Sequence, residues 1–189
     1  MEDATLSEND EYIKEAIRKA VWGGYASDEE LGWIIDDLVE DGDNEVYLRS
    51  YIQQALSSKK QEEKNWPSPT HYDLLKKAFK TLDKRRILCV ENAGYTMSDG
   101  HQEAFEILSD NKGRYDGYCF FHGQDLERAV DGGGLMLAFD HVKGDVPEKL
   151  DVGIAVQEEI SKVGLEVEWD RTVDSRINLP KIKWQKHSN

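Results

Sequence analysis

Apolar residues recur at helical spacing through the first third of the chain, then switch to short unbroken runs set between helical stretches. Tyr12, Ile13, Ala16, Ile17 and Ala20 predict a first helix, which Gly23-Gly24 stops. Ser27-Asp28-Glu29-Glu30 fits a capping box, in which Ser27 accepts from the Glu30 backbone and the carboxylate reaches back. Leu31, Ile34, Ile35 and Leu38 give that second helix its stripe. Asp41-Gly42-Asp43-Asn44 interrupts the pattern, and a third helix from about Glu45 is expected to turn Val46, Leu48, Tyr51, Ile52 and Leu56 inward. It fades into a polar tract over 57–64, and Trp66-Pro67-Ser68-Pro69 predicts an extended linker.

Beyond the linker, Thr70 caps a helix carrying Tyr72, Leu74, Leu75, Ala78, Phe79 and Leu82. Ile87 to Val90, Gly117 to Phe121 and Leu135 to Phe139 read as three apolar strands. Ser98-Asp99-Gly100-His101 opens the helix between the first two, and a short helix over about Gln124 to Val130 precedes the third. Pro147 suits the first turn of another helix, which Gly164 ends. Leu165 to Trp169 alternates and predicts a half-wet strand; Ile177 to Trp184 predicts an edge strand, because Pro180 lacks a donor. The expectation is an α/β fold: a helix-flanked mixed sheet of about four to five strands, preceded by an acidic all-helical segment. The predicted division is residues 1–65 and 66–189, with the three apolar strands central.

Charge sharpens that division. Of the net −14, residues 1–64 carry 17 Asp and Glu against 7 Lys and Arg, while the remainder carries 21 against 17. Such acidity disfavours nucleic acid and anionic membrane surfaces as partners and suits a basic protein. No apolar run approaches the length of a membrane span. With two cysteines, each inside an apolar run, and a Met-Glu-Asp start, a reducing cytoplasm is the expected setting.

The chemically capable side chains gather at Gly117-Tyr118-Cys119-Phe120-Phe121-His122-Gly123-Gln124-Asp125, a buried strand running out into polar groups. The carboxyl ends of strands in open α/β sheets are where ligands sit. With Phe120-Phe121-His122-Gly123-Gln124-Asp125, the run Gly132-Gly133-Gly134, Trp169-Asp170 and Arg176-Ile177, the second half resembles a bacterial domain family of unknown function. The likeness spans roughly residues 70 to 187 and, more loosely, the helices before them. It implies a shared fold and brings no activity.

In a catalytic reading, Asp125 at a helix start stays ionised and orients His122 as a general base. Gln124, His101, Asp99 and Tyr118 are then the ligand-binding candidates, with His101 and His122 sharing one crevice if their strands are neighbours. In the competing reading, Asp125 caps the helix and His122 and Gln124 satisfy local backbone groups. No His-x-x-x-His spacing, nucleotide loop or Gly-x-Ser-x-Gly elbow occurs, so no metal or cofactor is expected. The glycine triplet reads as a turn. The leading function is a non-catalytic module that binds a basic protein, for example a toxin neutralised as by an immunity protein. The alternative is a small enzyme or ligand-binding domain with a His/Gln/Asp site at the sheet's carboxyl edge.

Overall fold

Ser7 accepts a hydrogen bond from the Asp10 backbone while the Asp10 carboxylate takes the Ser7 N–H, and this capping box starts α1 (Glu8–Gly23). In the computed structural model, which describes residues 6–188, α1 belongs to the first of two units. That unit comprises the residues up to Ser68 together with those from Gln185 onward; the second is Pro69–Trp184.

In the first unit, α1 packs with α2 (Asp28–Leu38) and α3 (Glu45–Glu62). Ile13, Ile17, Val21, Leu31, Ile35, Leu48, Ile52 and Ala55 form its core. Each fully buried aliphatic side chain of this kind contributes about 1.5–3 kcal/mol. Two residues expected inside are outside: Tyr12 is 61% and Val46 83% exposed. Tyr12 precedes the core residue Ile13, and one step along a helix rotates a side chain about 100° off that face. Asp10 is buried and receives the Asn44 N–H at 2.8 Å, so the acidic break before α3 is anchored on the start of α1. The tail closes the unit. Lys59 is buried, paired with Glu63 at 3.0 Å and bonded to Ser188, while Lys186 donates to the Gly24 carbonyl and sits 4.7 Å from the Tyr25 ring centroid.

The second unit runs α4 (His71–Lys84), β1 (Ile87–Val90), α5 (Met97–Asp110), β2 (Gly117–Phe120), α6 (Gly123–Val130), β3 (Leu135–His141), α7 (Val146–Lys162) and β4 (Ile177–Leu179). Its four strands form one mixed sheet in the order β1-β2-β3-β4. β1 and β2 are parallel with Cys89 beside Cys119; β2 and β3 are antiparallel with Tyr118 opposite Asp140; β3 and β4 are antiparallel with Leu137 opposite Ile177. The helix-flanked α/β fold therefore stands. The apolar run of β1, expected at the centre of the sheet, lies at an edge, where α4 packs on it. Leu165 to Trp169 forms no strand: it contributes a single bridge, Glu168 to Asn178.

Alternation divides the sheet into two faces. Leu88, Val90, Tyr118, Phe120 and Ala138 point to one, under Ala104 of α5. α7 packs on β2 and β3 and against α4, with Phe139 meeting Trp169 at 5.2 Å between ring centroids. Gly100 lets α5 approach closely, since a Cβ there would overlap the Phe120 ring. In the glycine triplet, Gly134 has φ +82° and faces the Leu179 carbonyl, the geometry of a turn that a side chain would strain.

Candidate functional site

Where β2 ends, the chain turns straight into α6 with His122 as its N-cap. The His122 Nδ1 accepts the Asp125 N–H, and Asp125 Oδ2 accepts the His122 N–H, both at 3.4 Å. Nε2 stands 3.1 Å from Asp125 Oδ2 and 3.4 Å from Arg176 Nη1, so the ring meets both the carboxylate and the guanidinium. Burial pushes His122 below the ordinary histidine range, opposed by Asp125 and reinforced by Arg176. His122 and Asp125 are 4% and 3% exposed, whereas Gln124 faces solvent. The imidazole, amide and carboxylate thus do not open into one hollow. The reason lies in the backbone: the loops after β1 and β2 are joined by Ala93 N–H to Phe121 O (2.8 Å), Gly123 N–H to Gly94 O (2.9 Å) and Gln124 N–H to Tyr95 O (3.2 Å). These bonds close the carboxyl edge between the two parallel strands.

An opening that Arg176 does line lies beside β3. There a cleft of about 150 Å³ is floored by Ala138 and lined by Met97 and His101 of α5, Asp140, Lys149, and the segment Asp174-Ser175-Arg176 that leads into β4. His101 places Nδ1 2.9 Å from the Tyr118 hydroxyl and stands edge-on to Phe120, with centroids 5.0 Å apart. Burial pushes the Tyr118 phenol far above its ordinary value, so it remains a neutral hydroxyl. Burial also lowers His101, with Asp140 opposing. Asp140 pairs with Lys149 at 2.9 Å. Asp99 is elsewhere engaged, capping α5 with Thr96, and its carboxylate is held below the usual range by the Thr96 backbone N–H.

Arg176 joins the cleft to the buried cap. Its Nη1 lies 2.9 and 3.0 Å from the two Asp125 oxygens, and its side chain is one-third exposed. His101 lines the cleft with Arg176, whereas His122 does not line it and meets Arg176 through Nε2, 3.4 Å from Nη1. Arg176, Asp140 and Lys149 are the participants that reading by local motif misses. Arg176 meets its partner across a separation of 51 residues, and only the run Arg176-Ile177 within the family likeness marks it. Among the described residues, no group of three or more His, Cys, Asp or Glu is placed to hold a metal ion. Cys89 and Cys119 are free thiols with sulfurs 3.3 Å apart, and burial pushes the Cys89 thiol up.

A second feature is a surface on α2. Trp33 is 52% exposed. Glu29 and Glu30 precede it by four and three positions, and Asp36 and Asp37 follow by three and four. Residues at these spacings are neighbours on a helix, so four carboxylates border one indole. Glu30 is spent on the helix cap and Asp36 pairs with Arg49, while Glu29 and Asp37 have no partner among the described residues. No cation stacks on Trp33 among the described residues.

Residues 7–188 match the model of a family described as "Domain of unknown function (DUF6891)". No curated protein and no solved structure matches the chain. Among the described residues no helix is long and apolar enough to cross a membrane.

Proposed function

The chain belongs to this family of unknown function, and we propose that it is a non-catalytic module whose acidic helical unit takes up a basic protein segment over Trp33. Trp33 carries this reading: a large indole left half in water, with unpaired carboxylates one turn away on either side. An Arg or Lys side chain laid on the indole face gains about 0.5–2 kcal/mol from the ring quadrupole, and the bordering carboxylates add charge-assisted hydrogen bonds. Tryptophan is also among the residues that most often dominate interface energetics. The charge of the first 64 residues, 7 basic against 17 acidic, draws a cationic partner in by long-range attraction and raises the association rate. A cytoplasmic setting and a role in masking a basic protein, as an immunity protein masks a toxin, fit the same surface.

The test is capture of an arginine-rich peptide by the immobilised full chain at low and high salt. W33A and the double variant E29Q/D37N are compared with E106Q/E158Q, which removes the same number of charges from the other unit. Binding that weakens with salt and is lost in both α2 variants, but kept in E106Q/E158Q, supports the proposal. Equal losses in all variants would reduce the effect to bulk charge and sink it.

A further inference from the structure

We infer that the cleft beside β3 is a binding site for a small monocarboxylate, held by the unused edge of the Arg176 guanidinium. This goes beyond the protein-binding reading and concerns the other unit.

The first observation is which nitrogen is occupied. Asp125 takes both of its bonds from Nη1, while Nε and Nη2 of Arg176 make no hydrogen bond among the described residues. Nε and Nη2 lie side by side on one edge of the planar group, at the spacing that matches two carboxylate oxygens. The second observation is that this guanidinium is fixed beforehand. Asp125 is buried and itself locked as the third residue of α6 through its bond to His122. A ligand would therefore meet a donor pair already immobilised, without the ordering cost that weakens binding by long flexible side chains.

The lining then selects among anions. Lys149 and Asp140 neutralise each other across 2.9 Å, so neither competes for the ligand. Asp174, also in the lining, adds a negative charge that penalises a dianion such as phosphate more than a monoanion. The cleft of about 150 Å³ has the volume of about five liquid waters, at roughly 30 Å³ each. That admits a carboxylate with a chain of about two to four carbons. Ala138 and Met97 offer apolar contact to such a chain, and His101 is also in the lining, with an Nε2 that makes no hydrogen bond among the described residues.

The experiment uses the full chain labelled with ¹⁵N and follows the arginine Nε–H resonances, with that of Arg176 assigned by its loss in R176K. Sodium acetate and sodium glycolate are titrated at constant ionic strength, with sodium chloride and inorganic phosphate as comparators. The expected result is a saturable shift of the Arg176 signal with acetate or glycolate, with half-saturation in the range of about 1–10 mM given so few ligand atoms. Chloride should give none. The A138V variant narrows the floor without touching Arg176 or Asp125, and it should weaken binding at least about tenfold while keeping the Arg176 resonance in place. No saturable shift, an equal response to chloride, or a response to phosphate alone would overturn the proposal.

Discussion

Arg176 holds both oxygens of Asp125 through a single nitrogen, at 2.9 and 3.0 Å, and so ties the segment leading into β4 to the first turn of α6. The carboxylate is buried and already serves the helix cap. Removing the guanidinium leaves that charge with only a neutral imidazole and backbone for company. R176M should destabilise the second unit by about 2–3 kcal/mol, less than a fully buried pair because the arginine is one-third exposed. R176K should recover part of the loss. Urea unfolding measures both.

Acid should weaken the fold before its carboxylates titrate. Burial keeps His101 and His122 below their ordinary value of 6.5 in the folded chain. As pH falls, the unfolded chain binds protons first, so stability is full above pH 6.5 and declines as pH drops through that value toward the lowered folded values. The urea midpoint should therefore fall between about pH 8 and pH 5, and H101Q should flatten part of that slope. Carboxylates held low, such as Asp99 and Asp116, act with the same sign but only nearer their own range. A midpoint that rises over this interval would contradict the neutral-imidazole geometry.

Close packing of α5 depends on one missing side chain. In G100A the new methyl would run into the Phe120 ring, and either the helix lifts or the ring leaves its rotamer. The expected cost is about 1–3 kcal/mol. Near-ultraviolet circular dichroism should also change, because Phe120 stacks with Tyr118 and meets His101 edge-on.

The C-terminal residues are structural. Ending the chain at Gln185 removes the Lys186 bond to the Gly24 carbonyl and strips Ser188 from Lys59 and Glu63. Lys59 is left with Glu63 and the Trp66 ring as partners. The truncated chain should unfold about 2–4 kcal/mol more easily in its helical unit, read by thermal melting.

The helices and the apolar strands were legible because their signals are local. Ser27 with Glu30 marks a helix start, and Leu88, Tyr118 and Leu137 lie in short greasy runs. Tyr12 and Val46 misled because an aromatic or branched side chain at the margin of a stripe looks the same whether it faces the core or water. The alternating Leu165 to Trp169 lacked a neighbour to pair with, since β4 spans only three residues. At the site, the polar cluster after β2 was visible, but its role was not. Whether His122 and Asp125 open into solvent or close on each other depends on Arg176, which bonds Asp125, and on Gly94 and Tyr95, which bond the intervening Gly123 and Gln124, all through tertiary contacts.

The protein-binding reading stands most directly on the indole N–H resonances of the five tryptophans, followed in the ¹⁵N-labelled 189-residue chain as an arginine-rich peptide is added. A salt-sensitive, saturable shift should appear first and largest at Trp33, with the other four moving little. If Trp33 stays in place while the peptide binds, or if all five move in proportion, the α2 surface is not where a basic partner is received.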